Sequence, residues 1–144
     1  MQKLAAVALA VIVCAVAAGC QPPQAESNPT AESAAATAAD KWLPLLDEGK
    51  YGEGWDEAGH WMRETTPKQV WLEQIAPQRR LMGKLVSRVV ESKRYATSFP
   101  GRPDGEYVMV QYKTAFEKKK DAGEIVVVSF QEDGTWRVVA YMLR

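Results

Sequence analysis

The sequence predicts an α+β domain in which helices come first and pack on one face of a four-stranded antiparallel sheet. Apolar residues recur at helical spacing as far as Gly83 and at a spacing of two after it, which marks the change from helices to strands. Asp133-Gly134 separates the last two apolar runs and suits a tight hairpin turn. Because the helices precede the strands instead of alternating with them, the class is α+β.

Residues 1–19 indicate a signal peptide. Lys3 is their one charge, and small apolar residues run unbroken over 4–19. This run is shorter than the roughly 20 apolar residues that a membrane-spanning helix needs, so a permanent transmembrane helix is the disfavoured alternative.

Ala17-Ala18-Gly19-Cys20 resembles the lipobox of bacterial lipoproteins. The resemblance implies cleavage before Cys20, which then carries more than one acyl chain and anchors the protein in membrane lipid. Gln21 is not the aspartate that would hold a lipoprotein at the inner membrane, which favours the outer membrane with the domain facing the periplasm. The alternative is an ordinary secretory peptide that leaves Cys20 as a lone thiol.

The mature chain is expected to have two parts. Residues 20–31 contain three prolines among polar residues, which indicates an extended, lipidated tether without a fixed structure. Residues 32–144 are enough for one small domain and not for two.

The helices are predicted from caps and apolar spacing. The first starts near Thr30 and ends near Glu48 before a cap at Gly49, with a kink or early stop expected at Pro44. A short second helix is predicted over 51–58.

Thr66-Pro67-Lys68-Gln69 has the composition of a capping box and starts the next helix. Pro77 is expected to split that helix, and Gly83 to end it. Four strands are predicted after it, over 84–95, 106–116, 124–131 and 135–143.

Several segments of the domain share a family pattern: Lys41-Trp42, Asp47-Glu48-Gly49-Lys50-Tyr51, Trp55-Asp56, Gly83-Lys84-Leu85-Val86-Ser87-Arg88, Pro103-Asp104-Gly105-Glu106-Tyr107-Val108 and Glu132-Asp133-Gly134-Thr135-Trp136-Arg137-Val138. They resemble the uncharacterised bacterial lipoprotein family DUF4019. The resemblance implies the wider cystatin-like and nuclear-transport-factor-2-like (NTF2-like) superfamily, in which a curved sheet and helices form a cone, often with an internal pocket. It implies no activity, because the family has none established.

Composition excludes several classes of function. Without Lys3, seventeen basic residues face eighteen acidic ones, so no nucleic-acid partner is expected. Lys118-Lys119-Lys120 is interpreted as a solvated turn between strands. Both cysteines lie at or before the cleavage point, so the domain has no disulfide, thiol nucleophile or sulfur metal site. The single histidine, His60, cannot form a histidine pair, and we expect no metal and no cofactor.

Asp56 and Arg88 are the candidate ligand-binding residues. Asp56 adjoins Trp55 and is the acid that a pocket enzyme of the superfamily could use as a general base. Arg88 alternates with Val86 and Val90, so its guanidinium needs a partner if that face is buried. We expect an Arg88–Asp56 ion pair between sheet and helix, with a ligand-binding arginine as the alternative.

These observations favour a lipid-anchored, periplasm-facing binding or accessory domain of the bacterial envelope, with an envelope protein or a small ligand as its partner. The alternative is a small NTF2-like pocket enzyme that uses Asp56 with Arg88 or Tyr107 on an apolar or sugar-like substrate. It requires a cavity of several hundred cubic ångströms on which the acid converges. A third interpretation is a structural, dimerising lipoprotein with an open apolar sheet face.

Overall fold

The computed structural model describes residues 26–144, in which four helices precede four strands. The helices are α1 (Pro29–Asp47), α2 (Tyr51–Asp56), α3 (His60–Thr65) and α4 (Lys68–Met82); the strands are β1 (Leu85–Ala96), β2 (Tyr107–Phe116), β3 (Ala122–Phe130) and β4 (Trp136–Leu143). Helices followed by an open antiparallel sheet confirm the predicted α+β class. The signal peptide and Cys20 lie outside the described residues. Within residues 26–144, no helix is long and apolar enough to cross a membrane.

The first helix begins inside the stretch assigned above to the tether. The Asn28 side chain accepts a hydrogen bond from the Ala31 amide at 3.1 Å and caps the helix. Pro29 occupies the first helical position, where its missing N–H has no intrahelical partner to lose. Residues 29–31 are therefore helical, and the described part of the tether is limited to residues 26–28.

The end of α1 is as predicted. Gly49 has a φ of 76°, a conformation that favours glycine. This turn lets the Gly49 amide donate to the Leu46 carbonyl at 3.2 Å and the Lys50 amide donate to the Leu45 carbonyl at 2.7 Å. Two of the carbonyls left free at the helix end are thereby satisfied.

Neither internal proline ends its helix. α1 continues through Pro44 and α4 through Pro77, so the expected early stop and the expected split are wrong. Each proline frees the carbonyl four residues before it, at Asp40 and Glu73. All four residues are exposed, so water can bind the freed carbonyls and the packed faces of both helices stay intact.

The capping box before α4 is also wrong. Thr66 ends α3, a short helix that the sequence did not predict, and its carbonyl accepts the Trp55 indole N–H at 2.7 Å. α4 begins after Pro67 without a side-chain cap. The Gln69 amide, which a capping box would turn back, donates instead to Glu73.

The sheet has the order β1-β2-β3-β4, and each strand is antiparallel to the next. The hairpin between β3 and β4 forms at the predicted position. The Gln131 amide donates to the Thr135 carbonyl at 2.7 Å, and Gly134 has a φ of 79°. Asp133 keeps a negative φ, so the loop is a three-residue turn that ends in one left-handed glycine and not a two-residue turn.

The main core lies between the helices and one face of the sheet. Trp42, Trp71 and Tyr141 contact one another with ring centroids 5.7 to 6.5 Å apart. Both indole N–H groups donate to carbonyls of α2, from Trp42 to Gly54 at 2.7 Å and from Trp71 to Tyr51 at 2.8 Å. Buried rings with satisfied donors therefore hold α1, α2, α4 and β4 together.

A smaller cluster covers part of the opposite face of the sheet. Tyr107, Val127 and Val139 are buried there, with Trp61 of α3 and Phe99 of the β1–β2 loop packed against them. This cluster places α3 and the β1–β2 loop at the end of the sheet where the β3–β4 turn also lies.

Candidate functional site

Arg88 is the centre of a buried group of charges. Its Nη1 and Nη2 donate to the two carboxylate oxygens of Asp47, both at 2.8 Å. Its Nε donates to Glu124 Oε2 at 2.6 Å. Arg88 therefore lies between two carboxylates, one from the end of α1 and one from the middle of the sheet.

Glu124 is fully buried, with 0% of its surface exposed. Besides Arg88, its carboxylate accepts hydrogen bonds from Thr114 Oγ1 at 2.6 Å, Tyr141 Oη at 2.6 Å and Arg79 Nη1 at 3.2 Å. A carboxylate without water is tolerated only when charged and neutral donors replace its hydration in this way.

Arg79 supplies the second cation. Its Nη2 donates to Asp47 Oδ1 at 2.5 Å, and its guanidinium lies 4.7 Å from the centroid of the Phe116 ring. We call Asp47, Arg79, Arg88 and Glu124 the charge network. It contains two positive and two negative groups, so its formal charges cancel.

The pKa values follow from burial and pairing. Burial raises the pKa of Asp47, but the hydrogen bonds and charges of Arg88 and Arg79 outweigh it and hold that pKa below its usual value. Burial lowers the pKa of Arg88, and Asp47 and Glu124 reverse this and raise it. Burial and the charge of Glu124 raise the pKa of Tyr141. Asp47, Arg79 and Arg88 are consequently ionised at neutral pH.

The sequence contained a weak signal for these partners. Arg79 follows Trp71 and Ile75 at intervals of four, which puts it on the buried stripe of α4. Glu124 stands directly before the apolar run of residues 125–128 in strand β3. A charge in a buried pattern predicts that a partner exists, whereas its identity depends on how the elements pack.

Asp56 lies elsewhere. Its carboxylate accepts hydrogen bonds from Lys68 Nζ at 2.7 and 2.8 Å, on the surface between α2 and α4. The expected Arg88–Asp56 ion pair is therefore wrong, because Asp47 and Glu124 are the partners of Arg88. Asp56 ends α2, which packs on α1, α3 and α4, whereas Asp47 ends α1, which packs on the sheet.

A cleft of about 560 Å³ lies between α1, α2 and the start of β4. We call it the α1–β4 cleft. Trp42, Leu45 and Trp136 supply apolar surface, and the rim carries Lys41 and Arg137 as well as two glutamates. Its lining residues are Ala34, Thr37, Ala38, Lys41, Trp42, Leu45, Glu53, Glu57, Thr135, Trp136, Arg137 and Val138.

A second cleft, of about 610 Å³, lies on the other side of Arg137, between α3, the β1–β2 loop and the β3–β4 turn. His60 lines it and lies 3.1 Å from Glu64, with both side chains exposed. The walls combine Trp61, Tyr107 and Phe130 with charged groups of both signs. Neither Asp56 nor Arg88 lines these two clefts or a third, smaller one beside Arg144.

The arrangement separates two roles. The charge network uses its donors and acceptors internally, which suits a structural brace and leaves few groups for a ligand. The α1–β4 cleft combines open apolar surface with charged groups at its rim, as ligand sites do. In the part of the chain that the structure describes, no group of three or more His, Cys, Asp or Glu side chains is placed to hold a metal ion.

Comparison with known proteins gives one match. The profile of the family described as "Protein of unknown function (DUF4019)" matches residues 38–141. The matched span includes the whole charge network, α2 to α4 and most of the sheet. No curated protein and no solved structure matches the chain.

Proposed function

The chain belongs to the DUF4019 family, whose description states no activity, and we propose that it is a lipid-anchored, periplasm-facing binding domain of the bacterial envelope. Cys20 is the proposed site of acylation and holds the protein in membrane lipid. The α1–β4 cleft is the proposed ligand site. The observation that carries the proposal is this cleft, which offers apolar rings and charges of both signs beside an otherwise filled core.

The path of the chain supports a cleft that opens near the membrane. Asn28, directly before α1, lies close enough to Tyr95 at the end of β1 to influence its pKa. Ala96 of β1 is in register with Tyr107, and through β2 and β3 with Arg137 at the start of β4. The entry of the chain and the strand ends that line the cleft therefore lie at one end of the domain.

The length of the linker fits this arrangement. Seven residues lie between Cys20 and Asn28, and the eight residue-to-residue steps of a fully extended chain reach at most about 28 Å. A domain tethered at this radius meets other envelope components at high effective concentration. A binding domain gains this effective concentration without a catalytic step.

Of the residues proposed for the pocket-enzyme alternative, Tyr107 lines the second cleft, but the two charged residues do not. Asp56 is paired with Lys68 on the surface, and Arg88 is held by two carboxylates. A general base has to be within hydrogen-bonding reach of the bond that changes. Neither residue lines a cleft that could hold such a substrate.

Binding can be tested by filling the cleft. Ala38 is half-buried and lines it, so Ala38→Leu should block a ligand, whereas Ala76→Leu is a matched change at a half-buried position of α4 outside the cleft. We expect NMR titration of the full chain with amphipathic small molecules, sugar oligomers and short peptides to shift the Trp136 indole signal. The affinity should fall about tenfold in Ala38→Leu only, a loss of about 1.4 kcal/mol. Equal binding by both variants, or no shift with any probe, would contradict the proposal.

Anchoring has a separate test. Cys20→Ser removes the sulfur that carries the lipid, so labelling with radioactive palmitate should be lost and the protein should leave the membrane fraction. The wild-type chain serves as the control. Unchanged labelling and fractionation of Cys20→Ser would exclude the proposed anchor.

A further inference from the structure

Trp136 lines the α1–β4 cleft and is the first residue of β4, an edge strand of the sheet. At the hairpin turn, Gln131 and Thr135 form a hydrogen-bonded pair. Pairs with and without mutual hydrogen bonds alternate along an antiparallel ladder, so the next pair, Phe130 and Trp136, makes none between β3 and β4. The N–H and C=O of Trp136 therefore point away from β3, toward the open edge of the sheet.

The chain itself uses this edge two residues further along. The Val138 carbonyl, which has the same orientation, accepts the Gly59 amide at 2.7 Å from outside the sheet. The approach is close, since a Cβ on Gly59 would lie 2.7 Å from the Val139 side chain. Gly59 thus occupies the position of an added strand at Val138. Within residues 26–144, no segment outside the sheet makes a hydrogen bond to the Trp136 backbone.

The opposite edge of the sheet is less suited to an added strand. β1 has two register irregularities, between Leu85 and Ser87 and between Val90 and Ser92. Lys93 and the neighbouring arginine are exposed beyond the second of them. Bulges and exposed cations are features by which edge strands avoid pairing. β4 has one irregularity, at Val139 beyond the Gly59 contact, and a cleft beside Trp136.

The walls of the cleft fit a polypeptide backbone. Ala34 and Ala38 of α1 line the same cleft as Trp136, and their small side chains leave room for a chain to approach. Alternate side chains of an extended segment point to opposite sides, so one would contact Trp42 and Leu45 and the next would face the rim. The rim carries Lys41, Glu53, Glu57 and Arg137, which complement charges of either sign.

We infer that the α1–β4 cleft binds an extended peptide segment of a partner protein as a short added strand hydrogen-bonded to the backbone of Trp136. This inference rests on the proposed function and names the ligand class of the same site. Strand addition takes affinity from main-chain hydrogen bonds and specificity from side-chain pockets. Because Gly59 already occupies the Val138 carbonyl, the added strand is short, and one peptide residue makes both bonds to Trp136.

The test uses a phage library of random octapeptides selected on the full-length chain in detergent. Selected peptides are resynthesised with a single N-methyl group at each position in turn, since N-methylation removes one backbone donor and keeps the side chain. We expect one position to lose about tenfold or more in affinity and its two neighbours to change little. We also expect bound peptide to slow hydrogen exchange of the Trp136 amide about tenfold, and Ala38→Leu, but not Ala76→Leu, to prevent selection.

The outcomes separate this inference from the proposed function. Peptides that tolerate N-methylation at every position, or that leave exchange at Trp136 unchanged, would show recognition by side chains and overturn strand addition. If small molecules or sugars shift the cleft signals and no peptide is selected, the peptide inference fails and the binding function stands. If no probe of any class binds the cleft, both fail.

Discussion

Arg88 and Asp47 form a two-pronged ion pair, in which each of two guanidinium nitrogens lies 2.8 Å from a different carboxylate oxygen. The pair connects β1, an edge strand, with the last residue of α1. Glu124 and Arg79 complete the network from β3 and α4, and Thr114 and Tyr141 add donors from β2 and β4. Six of the eight elements therefore meet at one charged group of side chains.

Replacing Arg88 should destabilise the fold strongly. Arg88→Met leaves Asp47 and the buried Glu124 to share Arg79, and removing one partner of a buried pair costs about 3–5 kcal/mol. Arg94→Met is the matched control on an exposed part of β1, with an expected change within about 0.5 kcal/mol. Urea denaturation of both variants measures the difference, and equal midpoints would mean that the network contributes nothing to stability.

Stability should fall on the acid side because of Asp47. Its pKa is lowered in the folded protein, so its contribution is complete above the unfolded pKa of about 3.9 and is lost as the pH falls through the lower folded value. The free energy of unfolding, measured from pH 6 to pH 2, should drop below about pH 4. Asp47→Asn should be less stable at pH 6 and should show a shallower drop, and an unchanged slope would contradict the assignment.

The alkaline side involves two phenols. The pKa of Tyr112 is raised by burial and by its hydrogen bond to Asp40, and that of Tyr141 by burial and by Glu124. A raised folded pKa means that the contribution is complete below the unfolded value of about 10 and is lost as the pH rises further. Unfolding between pH 9 and pH 12, followed by tyrosinate absorbance at 295 nm, should coincide with ionisation of both phenols, whereas titration in the folded state would contradict their burial.

Tyr141→Phe isolates one neutral donor of the network. The change keeps the ring that packs on Trp42 and Trp71 and removes the 2.6 Å hydrogen bond to Glu124. A buried acceptor that loses a donor costs about 1–3 kcal/mol. Tyr51→Phe serves as the control, because the Tyr51 hydroxyl lies outside the network. Equal melting temperatures of the two variants would contradict a role for the Tyr141 hydroxyl.

Gly59→Ala tests how closely the α2–α3 connection approaches β4. The new Cβ would lie 2.7 Å from a Val139 methyl carbon in the smaller core cluster, so the loop has to shift and its 2.7 Å bond to Val138 weakens. Overpacking of this kind costs about 1–3 kcal/mol. Gly52→Ala is the control, since its Cβ would meet only the flexible end of Lys68 at 3.4 Å. A Gly59→Ala chain as stable as Gly52→Ala would indicate a looser connection.

Local chemistry accounts for the parts of the fold that the sequence predicted. Gly49 and Gly83 end helices because glycine adopts positive φ at little cost, and both do so here. The four strands follow from apolar residues that recur at a spacing of two, and the hairpin turn follows from the pair Asp133-Gly134. The predictions at Pro44, Pro77 and Thr66 fail for a common reason, because each depends on the surroundings of the residue. The carbonyls that the prolines free are exposed to solvent, and the Thr66 carbonyl accepts the Trp55 indole N–H.

The candidate site was less accessible from the sequence. The spacing of Arg88 correctly predicts a charge that needs a partner, but the predicted partner, Asp56, is wrong. Periodicity fixes the face on which a side chain lies, and both Asp47 and Asp56 belonged to the acidic residues of the first helical segments. The cleft was not predicted, because its walls come from residues about a hundred positions apart in the chain.

The sequence by itself determined the α+β class, the order of helices and strands, the turns at glycine and the expectation of a lipid anchor at Cys20, because these depend on residues close together along the chain. Only the tertiary structure decided which carboxylates neutralise Arg88, which edge of the sheet borders a cleft and which backbone groups of Trp136 bond to no other part of residues 26–144. Charge pairing, cleft shape and strand edges depend on distances between segments remote in sequence, and packing of the core around Trp42, Trp71 and Tyr141 sets those distances.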